Sequence, residues 1–244
     1  MRPFLLAILL LMPLPAKADC VVLMHGLSRT DNSMWLIAET LEYHGYRVIN
    51  YHYPSTDEPV ETLVRHVGYA VNQCGFQQTH FVTHSLGGIL VRAWLTEYSP
   101  PIMGRVVMLA PPNHGSEIVD NLAGNELAHE MLTFLHGPAV VQLGTDPDSV
   151  PSQLPRPDYE LGVIAGNRAI SPLGPILIEG ENDGTVSVAS TRIEGMRDHI
   201  VVPATHTMIM MNPIAIAEIL EFLRYGVFDH GITLVSAMRK IARP

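Results

Sequence analysis

The chain has 244 residues, 47% of them hydrophobic and 16% charged, which is enough for one domain with a sizeable core. That apolar share argues against a disordered chain. With 24 acidic residues against 15 basic ones and a net charge of −9, and with no basic stripe, nucleic acid is excluded as an expected partner.

The first residues read as an export signal. Arg2 precedes an unbroken apolar run from Phe4 to Met12. Pro13 and Pro15 break the run, and Ala16-Lys17-Ala18 places small residues where a signal-peptidase site needs them. The run is too short for a permanent span, and Asp19 before Cys20 does not suit lipidation. Residues 1–18 are therefore set aside as a cleavable signal. Residues 19–244 form the expected domain, in a periplasmic or secreted location. Cys20 and Cys74 allow either one disulfide or two buried thiols.

Strand and helix patterns then alternate. Cys20–Met24 reads as a buried strand. Met34, Ile37, Ala38 and Leu41 make a helical stripe that Gly45 stops. Tyr46–Tyr51 is the next strand. Pro59 opens a helix with Val60, Leu63, Val64 and Val67 on one face, and Gly75 ends it. Thr79–Thr83 is a strand, Leu86, Ile89, Leu90 and Ala93 a helical stripe, and Arg105–Leu109 a strand. This order predicts a mainly parallel sheet with helices on both faces.

The pattern breaks over 111–158, which carries five prolines between Pro138 and Pro157. Leu127, Met131, Phe134 and Leu135 form a helical set inside it. The stretch reads either as a cap or lid over a cleft or as a peripheral insertion packed on the core. Strands return at Tyr159–Ala165, Pro175–Glu179 and His199–Val202. Asn212 and Pro213 start a helix with Ile216, Ile219, Leu220 and Leu223 facing inward, closed by Gly226. The tail over 232–244 is apolar with a basic end. It fits packing on the domain, fraying, or peripheral membrane contact.

Phe81-Val82-Thr83-His84-Ser85-Leu86-Gly87-Gly88 joins a strand directly to a helix. It resembles the nucleophile elbow of the α/β-hydrolases, with Thr83 in place of the first glycine of G-x-S-x-G. The resemblance, to lipase and esterase members in particular, implies the α/β-hydrolase fold: a mainly parallel central sheet flanked by helices. It also implies Ser85 as nucleophile, presented at a helix N-terminus.

In this family the acid and then the base follow the serine in the chain, each after a strand. Gly180-Glu181-Asn182-Asp183-Gly184-Thr185-Val186 resembles the acid loop, which selects Asp183 over Glu179, Glu181 and Asp198. His206 follows the last strand and precedes the final long helix, which selects it over His199, inside that strand. Leu86 and Leu27 are the implied oxyanion donors. Leu27 lies in Met24-His25-Gly26-Leu27-Ser28, which resembles an oxyanion loop. His25, Gly26, His84 and Asn113 are candidate substrate-binding residues. Asn113 sits in the Pro112-Asn113-His114-Gly115-Ser116 segment, read as a cleft wall; no elbow precedes Ser116, so its pairing with His114 is set aside.

In the implied fold the strands near Cys20 and Cys74 are neighbours and parallel, which implies a Cys20–Cys74 disulfide closing a loop of about 54 residues. No His, Cys and carboxylate cluster has zinc spacing, so neither a metal nor a cofactor is expected. The implied activity is hydrolysis of a small-molecule or lipid carboxylic ester. A thioesterase or acyltransferase using the same three residues, and a non-catalytic binding protein on this scaffold, are the alternatives.

Overall fold

The computed structural model describes residues 18–122, 126–169 and 178–244. Among the described residues six strands form one sheet: β1 (Cys20–Met24), β2 (Arg47–Tyr51), β3 (Thr79–His84), β4 (Met103–Leu109), β5 (Leu161–Gly166) and β6 (Asp198–Val202). Their spatial order is β2-β1-β3-β4-β5-β6, and every neighbouring pair is parallel. Each crossover therefore carries helix, and each face of the sheet is covered.

The period-2 alternation of the strands divides the core in two. Cys20, Val22 and Met24 of β1, Phe81 of β3 and Val106 and Met108 of β4 point into one cluster. Val21, Leu23, Val82, Val107 and Leu109 point into the other. The first cluster is closed by α2 (Val60–Leu63), α3 (Arg65–Cys74) and α4 (Leu86–Glu97). The second is closed by α1 (Trp35–Tyr43) and by Pro213–Tyr225, the long helix after β6. The single helix expected after Pro59 is divided at Val64 into α2 and α3.

The 111–158 stretch folds into α5 (Glu117–Leu122), α6 (Glu126–His136) and α7 (Val150–Gln153). The expected stripe on α6 forms, but it faces outward: Leu127, Met131, Phe134 and Leu135 are all exposed, Phe134 to 88%. Leu132 and His136, on another side of the same helix, are the residues that reach the cleft. The stripe itself thus neither caps the cleft nor packs on the core.

After β5 the expected strand over 175–179 lies mostly outside the described residues, as does the expected signal over 1–18. The short α8 (Val188–Thr191) precedes β6, and Pro213–Tyr225 is α9. Asn212 caps α9 by accepting from the N–H groups of Ile214 and Ala215. The tail forms α10 (Leu234–Ile241), which packs on α9 with Ala237 buried. Among the described residues no helix is long and apolar enough to cross a membrane.

Cys20 and Cys74 are joined by a disulfide, with their Cα atoms 5.7 Å apart. Cys74 ends α3 and Cys20 opens β1, beside Thr79 at the start of β3. Parallel pairing brings both cysteines to the same edge of the sheet. That edge is opposite the one where β1, β3 and β6 deliver the chain segments described next.

Candidate active site

Because all strands run the same way, the segments after β1, β3, β4 and β6 emerge along one edge. Ser85 follows β3 directly and is the N-cap of α4, with φ 52 and ψ −121. A non-glycine residue at positive φ is strained, and such strain concentrates at functional turns. Two more examples lie on the same edge, Ser28 (φ 53) and Ala110 (φ 47).

The turn is feasible because of Gly87. A Cβ there would come within 2.4 Å of the Met24 carbonyl oxygen and 2.7 Å of that of His25, so α4 lies directly against the end of β1. Thr83, at the position where the family pattern has glycine, is fully buried, with its hydroxyl unpaired.

Ser85, His206 and Asp183 form a hydrogen-bonded line. The Ser85 Oγ–H donates to Nε2 of His206 at 3.0 Å, and Nδ1–H of His206 donates to Oδ2 of Asp183 at 2.8 Å. The other carboxylate oxygen of Asp183 accepts from the N–H groups of Thr185 (3.0 Å) and Val186 (2.8 Å). The His206 N–H also donates to the Asp183 carbonyl, at 3.0 Å. Asp183 is 2% exposed, so its carboxylate has a fixed direction and little water around it. Two of the rival candidates are engaged elsewhere. Asp198 accepts from His230 and from the Phe228 N–H, and His199 bonds Thr191 through Nε2. Burial pushes the His199 imidazole down to about 4.

Leu86 is the first residue of α4, so its N–H has no acceptor within the helix. Leu27 lies on the loop after β1 and lines the same cleft as Ser85. Gly26 fits closely between the two: a Cβ there would stand 2.6 Å from Nδ1 of His84 and 3.2 Å from Cβ of Ser85.

His84 lines the cleft and is 1% exposed. Its Nε2 lies 2.9 Å from the carbonyl oxygen of His206, so Nε2 carries the proton and donates. Burial, reinforced by neighbouring His206, holds its imidazole well below the ordinary value and keeps it neutral.

Three expected substrate-binding residues do not line the cleft: Gly26 packs against His84 and Ser85, and Asn113 and His25 take other places. Asn113 is 1% exposed and does not line the cleft. Its amide donates to the Thr191 carbonyl at 2.7 Å, and its side-chain oxygen accepts from Arg92. It therefore joins the β4 exit to α8 and α4 rather than meeting a ligand. His25 is fully buried and stacks on Tyr53, with ring centroids 4.0 Å apart. Tyr53 O–H donates to the His25 carbonyl at 2.5 Å. His25 thus shapes the loop from beneath, consistent with a holding role and not with contact to a substrate.

The cleft beside Ser85 has a volume of about 400 Å³. Leu27, Ile118, Val119, Leu132, Val140 and Leu143 give it an apolar wall, and Ser28, Arg29 and His136 give it a polar side. Sequence reasoning did not single out this polar side. Its members are remote in the chain, and nothing in their local pattern signals that they meet.

The Alpha/beta hydrolase family model matches residues 21–219, and the chain belongs to that family. The sheet order and flanking helices are those of its fold. A lipase of Bacillus licheniformis, BlEst2 in mature form, superposes with a TM-score of 0.67 at 22% identity, over 88% of this chain and 94% of that one. The metagenomic carboxyl esterase MGS0156 gives 0.63 at 18% identity, over 98% and 78%. The phospholipase PlaB of Legionella pneumophila gives 0.54 at 21% identity, over 72% and 46%. A comparison with curated proteins finds no match.

Proposed function

We propose that the protein is an exported carboxylic ester hydrolase that works through an acyl-enzyme on Ser85. The observation that carries this reading is the unbroken line from the Ser85 hydroxyl through His206 to Asp183. A serine hydroxyl becomes a useful nucleophile only when a base takes its proton, and the base needs a fixed tautomer. With Nδ1–H bound to Asp183, the free lone pair on Nε2 faces the hydroxyl.

The reaction then runs in two halves. Ser85 Oγ attacks the ester carbonyl as its proton passes to Nε2 of His206. The oxyanion is held by the N–H groups of Leu27 and Leu86. When the tetrahedral adduct collapses, His206 returns the proton to the leaving alcohol and Ser85 is left acylated. Water, deprotonated by the same Nε2, attacks the acyl carbon, and a second collapse frees the acid and restores the Ser85 hydroxyl. Asp183 holds the imidazolium in place throughout.

The apolar wall of the cleft supports a hydrophobic acyl chain as the preferred half of the substrate. The names of the lipase and the carboxyl esterase that share the fold agree with ester chemistry. The Cys20–Cys74 disulfide supports export to an oxidising compartment.

The test is hydrolysis of chromogenic esters of increasing chain length, with fluorophosphonate labelling. The wild type cleaves the esters and takes up the label at Ser85. Ser85→Ala loses the label and at least about 10³-fold of kcat. Undiminished hydrolysis by Ser85→Ala would sink the mechanism.

A further inference from the structure

Among the described residues, Arg29 is the one Lys or Arg that lines the cleft, and no carboxylate lines it. Among the described residues no acidic side chain pairs with Arg29 within salt-bridge distance. The chain carries a net charge of −9, so a free cation in the apolar cleft beside Ser85 reverses the sign of the surrounding surface. A positive group in a low-dielectric concavity attracts anions more strongly than the same group on an open surface.

Two polar neighbours share that side of the cleft. Ser28 Oγ and Nδ1 of His136 form a hydrogen-bonded pair at 2.9 Å, although they are 108 residues apart in sequence. This pair ties the loop after β1 to the last turn of α6. Ser28 holds a positive φ, so the loop turns sharply just before Arg29. The charge of Arg29 is also one of the influences that depress the His84 imidazole, which puts the guanidinium within electrostatic reach of the elbow.

Resting on the ester-hydrolase reading, we propose that Arg29, with Ser28 and His136, forms an anion subsite. The preferred substrates are then amphiphilic esters: a hydrophobic acyl chain in the apolar part of the cleft and a phosphate or carboxylate against Arg29. The guanidinium fork matches either oxyanion with two parallel hydrogen bonds, and the hydroxyl–imidazole pair adds further polar contacts.

The experiment compares three matched soluble substrates: monooctanoylglycerol, the same ester phosphorylated on its free terminal hydroxyl, and the octanoyl ester of glycerate. The wild type is expected to favour at least one anionic ester over the neutral one in kcat/KM by about tenfold. The two anionic arms tell phosphate from carboxylate. In Arg29→Gln the ratio falls to about one, and Arg29→Lys, which keeps the charge but loses the fork, retains part of it. Added salt reduces the wild-type ratio.

A ratio of one in a wild type whose Ser85 takes the fluorophosphonate label overturns the subsite and leaves the hydrolase reading intact. A large ratio that survives in Arg29→Gln overturns the assignment to Arg29. If Ser85 takes no label and no ester is cleaved, the hydrolase reading has failed on its own. Titration of glycerol phosphate into wild type and Arg29→Gln then decides the subsite: weaker binding by the variant upholds it, and equal binding overturns it.

Discussion

The Nε2–H of His84 donates to the main-chain oxygen of His206 across 2.9 Å, so the residue before the proposed nucleophile holds the loop of the proposed base. The same ring lies against Gly26, where a Cβ would meet its Nδ1 at 2.6 Å. One imidazole therefore touches the elbow, the base loop and the oxyanion loop. Its influence is positional, because burial keeps it uncharged. His84→Leu keeps bulk and loses the donor. It is expected to lower kcat by about tenfold to a hundredfold, the cost of a small misplacement of a reacting group, with little change in KM. His84→Gln, whose amide donates, recovers part of this. The Gln variant keeps the shape of the wild-type pH–rate profile. A Leu variant with wild-type kcat would remove the positioning role.

Asp183 offers a sharper test, because its two oxygens face donors on both sides. Oδ1 accepts from Thr185 and Val186, and Oδ2 accepts from His206. In Asp183→Asn the amide oxygen stays with the two backbone N–H groups, and the new NH₂ faces Nδ1 of His206. That nitrogen must then accept, which moves the imidazole proton to Nε2 and removes the lone pair that Ser85 needs. The expected loss in kcat is roughly 10⁴-fold at neutral pH with the fold intact. Stopped assays with circular dichroism as the folding control would expose a smaller effect.

The disulfide makes a prediction about stability rather than turnover. It closes a loop of 54 residues that contains α1, β2, α2 and α3. Constraining a loop of that length in the unfolded chain stabilises the native state by about 4 kcal/mol in the chain-entropy model. Cys20→Ser/Cys74→Ser is therefore expected to shift the urea midpoint downward by about that free energy. The sites at the opposite edge of the sheet should keep their activity below the new midpoint. A reduced protein as stable as the oxidised one would contradict the estimate.

What the sequence disclosed and what it hid have a common physical basis. The short strand runs, the stripes of α1, α4 and α9, and the strand–Ser85–helix junction are local patterns. They are written within a few residues, and the observed elements follow them closely. That Asp183 and His206 meet Ser85 was legible because the family resemblance supplies their order along the chain. Asn113 was misassigned since its motif places it near the cleft, whereas its neighbours Arg92 and Thr191 draw its amide into the interior. Arg29 and His136 gave no signal, because their meeting in the cleft depends on where α6 settles. The outward stripe of α6 was read from its period correctly, but a period cannot say which side of a helix finds a partner.

Glu218 predicts a pH dependence of stability that is independent of catalysis. It is fully buried on α9. Its Oε2 accepts from the Asp229 N–H at 2.8 Å, in the turn before α10, and among the described residues its Oε1 has no partner. Burial raises the carboxyl from an ordinary 4.5 to about 7, against the opposing pull of the Asp229 N–H and nearby Lys240; Asp229 and Glu221 add to the rise. Between those two values the folded chain holds the proton and the unfolded chain does not. The contribution of Glu218 is thus greatest below pH 4.5 and is lost as pH rises through about 7. Glu218→Gln fixes the side chain in a neutral form. The unfolding free energy of the variant minus that of the wild type should rise between pH 4.5 and 7 and level off above the folded value. Subtraction cancels the buried histidines His84 and His199, whose depressed values act in the opposite sense, adding stability that is lost as pH falls. A difference that stays flat across this window would mean that Glu218 is ionised in the folded protein at acidic pH, with its charge compensated by Lys240.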